Sequence, residues 1–369
     1  MRIVVVGGFA PSLINFRGPL LSAIVARGHE VVACAPDADP QTRQKLSELG
    51  ARYRHFPLSR TKLSPTDDLA TVAALRKLIR QEQPDRLLAY TAKPVIYTHL
   101  AARLEARSQV FGMITGLGYG FGNGSVKQKL VGTAMRNLYR YALKQSSGIL
   151  FQNSDNKDFF EKHGLLHNGV PITVVNGSGV DLEWYTPTRL PDEPVFLLIS
   201  RLLDYKGVRE YCQAAGRLRS TYPQARFLLA GYFDANPASI GREELAQWQR
   251  DGVIEFLGEI DDVRPAYSRC RTYVLPSYRE GTSRTVLEAM AMGRPVITTD
   301  APGCRQTILD GRNGILVPVR DVDSLVGAME RFILDPELAD KMGEQSVQIV
   351  REKYDVHKVN DVILEAMGV

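Results

Sequence analysis

The chain has 369 residues, enough for two domains of ordinary size. Its 44% hydrophobic and 24% charged content is that of a globular protein, which sets disordered and fibrous classes aside. Cys34, Cys212, Cys270 and Cys304 form no C-x-x-C pair, so their spacing points to neither a zinc ribbon nor a disulfide framework, and reduced thiols are expected. No apolar run approaches the roughly 20 residues of a spanning helix, and Met1 leads straight into a strand pattern, so neither a membrane span nor a signal peptide is expected. The net charge of +5 is unevenly spread: residues 1–185 carry 23 Lys and Arg against 14 Asp and Glu, while residues 186–369 carry 23 against 27. A basic first half suits an acidic partner, whether phosphate, nucleic acid or an anionic membrane.

Residues 3–6 (IVVV) read as a buried strand, followed by the paired Gly7-Gly8, a helix over about 19–27 and a second strand at 31–33. This β-α-β opening lacks a G-x-G-x-x-G turn and an acidic ribose partner, so no dinucleotide fingerprint is present. The glycines instead allow a ligand to approach the backbone at Gly8. A helix over 69–82 and a strand over 86–90 leave Lys93 at the strand's C-terminal end, where doubly wound sheets bind ligands. Residues 110–124 hold six glycines with Tyr119 and Phe121 among them, and residues 126–145 read as a basic amphipathic helix. Its apolar set is Val126, Leu130, Ala134, Leu138, Tyr141 and Ala142; its cations are Lys127, Lys129, Arg136, Arg140 and Lys144. Residues 117–145 are therefore expected to meet an anionic membrane surface. A strand over 148–153, a helix over 155–163 and a strand over 172–175 complete the first domain, and the Gly-rich run 176–181 suits a hinge.

The pattern restarts with the strand 195–200, VFLLIS. Arg201 and Lys206 follow it at a spacing that converges on one anion. Strands at 226–231, ending in Gly231, and 254–258, shortly before Ile260, lead to a strand–loop–helix–strand over 274–300. Its loop holds Glu280 and Gly281, Thr282 or Ser283 is placed to cap the helix, and Glu288 lies inside it. The helix start favours an anion, and the two carboxylates suit sugar hydroxyls, so the layout fits a sugar nucleotide. Helices are expected over 322–334, 336–352 and from about 356.

The Glu280…Glu288 pair resembles the E-x7-E motif of retaining glycosyltransferases of family 4. The runs LPSYREG, LEAMAMGRPVITTD, PGCR, DGRNGILVP and SRLLDYKG are similar to the members that build capsules, O-antigens and undecaprenyl-diphosphate-linked oligosaccharides. The resemblance implies the GT-B fold: two α/β, doubly wound Rossmann-like domains facing across a cleft. The expected domains are residues 1–185 for the acceptor and membrane and 186–352 for the nucleotide-sugar, with a helix over 353–369 crossing back to the first.

For the site, the resemblance implies that Glu280 contacts the donor sugar and Glu288 the ribose. Arg201 and Lys206 meet the diphosphate with the backbone of Gly281, Thr282 and Ser283, and the backbone near Ile260 reads the base. Gly8 and Gly231 flank the donor, while Arg17, Lys93 and Thr115 are candidates for the acceptor side. Many relatives carry a histidine near residues 113–116, and here the run is Met113-Ile114-Thr115-Gly116. The implied reaction retains configuration and takes a UDP-sugar, N-acetylhexosamine by preference, with no resident cofactor or metal. The acceptor is a lipid-diphosphate-linked saccharide at the cytoplasmic face of the membrane, and no nucleic-acid motif accompanies the basic half. The rivals are a transferase with a non-lipid acceptor, a non-catalytic nucleotide-sugar-binding protein and a dehydrogenase, the last disfavoured by the missing glycine turn.

Overall fold

In a computed structural model the chain is described over residues 1–59, 64–103, 105, 108–116, 126–234, 236 and 238–369, with residues 126–129 described in backbone alone. It divides into two compact units, Met1–Ser178 with His357–Val369, and Gly179–Val356. The boundary falls inside the Gly-rich run 176–181 rather than at 185/186, because Val180 and Tyr185 are buried in the core of the second unit.

The first unit is built on strands β1 (Arg2–Val6), β2 (Glu30–Ala35), β3 (Ala51–His55), β4 (Arg86–Tyr90), β5 (Gln109–Ile114), β6 (Gly148–Phe151) and β7 (Ile172–Val174). All pair in parallel in the order β3-β2-β1-β4-β5-β6-β7. Helices cover both faces, so the strands are apolar at successive positions: Val4, Val6, Leu87 and Ala89 enter one core, and Ile3, Val5, Leu88 and Tyr90 enter the other. The last helix, Val356–Met367, belongs to this second core through Val359, Ile363, Leu364 and Met367. Residues 353–356 stay with the other unit, where Tyr354 is buried and the Val356 N–H donates to the Val180 carbonyl at 3.0 Å.

The second unit carries β8 (Val195–Ile199), β9 (Arg226–Ala230), β10 (Glu255–Phe256), β11 (Thr272–Leu275), β12 (Val296–Thr299) and β13 (Gly314–Val317). They are again parallel, in the order β10-β9-β8-β11-β12-β13. Each sheet has a point where successive connections leave in opposite directions, β1/β4 in the first unit and β8/β11 in the second. Loops there diverge and open a crevice at the strands' C-terminal ends.

Two helices bear on the acceptor side. The one after β4 begins at Ala92, so Lys93 stands in its first turn rather than in a loop. The helix Val126–Ala142 buries Tyr139 and Ala142, followed by Leu143, while Leu130, Leu138 and Tyr141 are 68%, 37% and 59% exposed. Ala134 is exposed on the same side. Most of that apolar set therefore faces outward, because the helix is apolar on two sides and the core takes the other one. Residues 117–125, with Tyr119 and Phe121, and the side chains of Lys127 and Lys129 lie outside the described residues. Among the described residues no helix is long and apolar enough to cross a membrane.

Candidate active site

The loops after β8 and β11 are sewn together at the second unit's switch point. The Tyr205 carbonyl accepts the Tyr278 N–H at 2.9 Å and the Ser277 hydroxyl at 3.1 Å. Gly207 completes the turn at φ +74°, and a Cβ there would lie 2.2 Å from the Pro276 carbonyl oxygen. Only glycine lets these two backbones approach so closely. The turn is thereby held with Lys206 reaching Glu280: Nζ donates to Oε1 at 2.5 Å, and the side chains are 15% and 11% exposed. Glu280 is anchored from behind as well. Its N–H donates to the Pro302 carbonyl at 2.9 Å, and Gly303 packs where a Cβ would meet the Glu280 carbonyl.

Arg201 follows β8 directly. Its Nη1 donates to Asp234 Oδ2 at 2.9 Å and its Nη2 to the Tyr205 hydroxyl at 3.3 Å. Gly231, after β9, passes under the Ser200 carbonyl, where a Cβ would lie 1.9 Å away, and its N–H donates to the Gly258 carbonyl at 2.9 Å. Ile260, beyond β10, packs partly buried on the core under the sheet.

The helix Arg284–Ala291 starts beside Glu280 without a side-chain cap. Ser283, at the N-cap, does not cap it with its side chain: its hydroxyl pairs with that of Thr285 at 3.2 Å, and the Thr282 hydroxyl donates to the Gly281 carbonyl. An uncapped first turn presents the positive end of the helix dipole. Glu288 is 5% exposed; its Oε1 accepts Arg284 Nε at 2.8 Å and its Oε2 lies 3.1 Å from the Tyr267 hydroxyl. Burial raises its pKa above the ordinary carboxylate value, an effect opposed by Arg284, Tyr185 and Tyr267. Glu280, Lys206, Arg201 and the helix start thus share the β8/β11 switch point, while Glu288 lies deeper, already hydrogen-bonded.

The acceptor-side candidates fare differently. Arg17 is 2% exposed, with its guanidinium carbon 5.1 Å from the centroid of Tyr90, so it is neither a surface arginine nor an open phosphate hook. Lys93 donates to Asp68 Oδ1 and to the Ser59 carbonyl, both at 2.9 Å, with its side chain 11% exposed. This ties the helix start to two neighbouring segments, a structural role that the sequence pattern did not separate from a ligand role. Gly7 and Gly8 are small for packing reasons: a Cβ on Gly7 would lie 2.3 Å from the Tyr90 hydroxyl, and one on Gly8 3.3 Å from Pro94 and Thr91. Thr115 stands just past β5, partly exposed. Asp234, Tyr205, Tyr267 and Arg284 were missed from the sequence. Of these only Arg284 carried a signal, four residues before Glu288 on one helix face.

The chain matches the glycosyl transferase 4-like domain over residues 18–175 and the glycosyl transferases group 1 family over residues 193–335. It belongs to the family 4 glycosyltransferases. Its relatives include the N,N'-diacetylbacillosaminyl-diphospho-undecaprenol alpha-1,3-N-acetylgalactosaminyltransferase of Campylobacter jejuni, 28% identical over 94% of this chain and 93% of that protein. Among solved structures, sucrose-phosphate synthase from Thermosynechococcus elongatus superposes with a TM-score of 0.83 at 17% identity, covering 100% of this transferase and 98% of that chain. The Anabaena HepE protein in complex with UDP gives 0.79 at 19% identity, covering 100% of both chains. These two likenesses establish the GT-B fold, with two parallel-sheet Rossmann-like domains.

Proposed function

We propose that this transferase moves an N-acetylhexosamine from a UDP-sugar to an undecaprenyl-diphosphate-linked saccharide, with retention of configuration. The observation that carries the reading is the cluster at the β8/β11 switch point: two cations, Arg201 and Lys206, an uncapped helix start, and Glu280 held on Lys206. That combination suits a diphosphate next to a sugar. In the step proposed, the bond from the sugar C1 to the diphosphate oxygen breaks and the acceptor oxygen bonds to C1 from the same face. The hydroxyl proton leaves with the departing phosphate. Arg201, Lys206 and the first-turn N–H groups offset the charge that develops on the leaving group. Glu280 orients the sugar, and Glu288 accepts from the ribose. The backbone of Gly231, Ile260, Gly281, Thr282 and Ser283 completes the donor site. Metal independence is part of the proposal: Glu280 and Asp234, the carboxylates facing the site, are each paired with a cation of the chain.

The lipid-linked acceptor is proposed from the Campylobacter jejuni relative's own substrate and from the outward stripe Leu130, Ala134, Leu138 and Tyr141. Arg103 stacks on Tyr141 at 3.9 Å, and Arg140 and Lys144 lie on the same helix and its extension. An apolar stripe with flanking cations suits an anionic bilayer at its cytoplasmic face. The transferase would then dock there peripherally, with Thr115 of the first unit near the acceptor.

The test is nucleotide release over a panel of UDP- and GDP-sugars with synthetic undecaprenyl-diphosphate-GlcNAc and EDTA present. Turnover with one donor that requires the lipid supports the whole reading. Turnover unaffected by the lipid overturns the acceptor, and silence with no nucleotide-sugar binding overturns the donor site. Glu280→Gln should keep less than about a tenth of wild-type kcat/KM, a loss above ~1.4 kcal/mol.

A further inference from the structure

Both cations of the donor site are already neutralised by carboxylates of the chain, and the two carboxylates differ in what else they do. Glu280 is fixed through its backbone to Pro302 and Gly303. Asp234 stands on the loop after β9. That loop is tied to the 204–206 turn, where the Asp204 N–H donates to the Ala238 carbonyl at 2.8 Å and Leu203 bridges Ser239. Asp234 Oδ1 accepts the Asn236 N–H at 2.9 Å, a turn that an amide or hydroxyl oxygen would serve equally well. The negative charge of Asp234 is therefore not needed for the turn. It acts on Arg201, through Oδ2 at 2.9 Å.

The exposure of the pair fits a contact that is made and given up. Arg201 and Asp234 are 36% and 25% exposed, buried enough to attract and open enough for an anion from solvent to compete. Nη2 of Arg201 is meanwhile held by Tyr205, so the fork is aimed whether or not Asp234 engages it.

We propose that Asp234 is the internal competitor for Arg201: it occupies the guanidinium between turnovers, yields to the donor diphosphate and returns to expel the nucleoside diphosphate product. The inference rests on the reading of Arg201 as a diphosphate ligand. Charge gives the competition a direction. When the sugar leaves, the terminal phosphate gains about one further negative charge near neutral pH. A carboxylate beside the site therefore opposes the product more than the donor, and it lowers product affinity without touching the reacting carbon.

The experiment is calorimetry of UDP binding to full-length wild type, Asp234→Asn, Asp234→Ser, Arg201→Ala and Arg201→Ala/Asp234→Asn. Both replacements at 234 keep an acceptor for the Asn236 N–H. Each should bind UDP about two- to fivefold more tightly than wild type, the range of a part-exposed ion pair. The gain should vanish in the Arg201→Ala background. Product inhibition by UDP should strengthen by a similar factor, while KM for the donor changes less. Unchanged or weaker binding in both variants would mean that Asp234 only orients Arg201 and would overturn the proposal, as would a gain that survives Arg201→Ala. If wild type binds UDP and Arg201→Ala binds it equally well, the diphosphate role of Arg201 fails first, and the competitor role falls with it.

Discussion

Breaking the Lys206–Glu280 pair should cost more than an ordinary surface ion pair. Unit charges about 2.5 Å apart attract by roughly 7 kcal/mol at an effective dielectric near 20. Both side chains are well covered, 15% and 11% exposed, so desolvation removes much of that gain. Removing one partner, however, strands the other in a covered site. Lys206→Met and Glu280→Gln should each destabilise the second unit by about 2–3 kcal/mol, and the double variant should lose little more than either single one. The coupling should be about 2 kcal/mol. Urea unfolding followed by tryptophan fluorescence is the assay, because both tryptophans, Trp184 and Trp248, lie in the second unit and report on it. Additive losses, with a coupling under about 0.5 kcal/mol, would show that the pair is not a cooperative element of the site. They would also remove the reason for treating Lys206 and Glu280 as one device.

Gly207→Ala should lose at least about 2 kcal/mol in the same assay, since a Cβ at φ +74° would press on the Pro276 carbonyl at 2.2 Å; donor binding should fall with it as the Lys206 turn shifts. His99 is buried, donates from Nδ1 to the Val95 carbonyl at 2.7 Å, and burial lowers its pKa to about 4. The unfolded chain takes the proton near the ordinary value of about 6.5, so stability is lost as pH falls from about 6.5 to about 4, by up to ~3 kcal/mol, and His99→Gln should flatten that slope in denaturant titrations. Replacing Leu130, Leu138 and Tyr141 by glutamate should leave turnover of a detergent-dispersed acceptor near wild type and cut sedimentation with anionic vesicles by about tenfold. Equal sedimentation of variant and wild type would refute docking through this face.

Much of the architecture was legible because its signals are local. Unbroken apolar runs such as IVVV and VFLLI mark strands covered on both faces, and glycines closing helices mark turns, so the strand-and-helix alternation of both units follows from neighbours in sequence. The placement of Arg201, Glu280 and the helix start near a sheet's C-terminal edge followed from the same alternation.

What the sequence could not supply is every contact between residues far apart along the chain. Glu280 is paired with Lys206, Arg201 with Asp234, and Lys93 with Asp68, and no spacing rule links any of these. Arg17 read as an acceptor-side candidate, and the fold buries it against Tyr90, whose hydroxyl also fills the space beside Gly7. The helix at 126–142 has apolar residues on two sides, and periodicity alone cannot choose between them; packing chose Tyr139 and Ala142 for the core and left Leu130, Leu138 and Tyr141 outside. The side-chain cap open to Ser283 likewise lost to a local partner, the Thr285 hydroxyl. Secondary structure is set by interactions within a few residues and is written in the sequence. Charge pairing, burial and the free end of a helix depend on which distant segments the folded sheets bring together, and only the tertiary structure decides them.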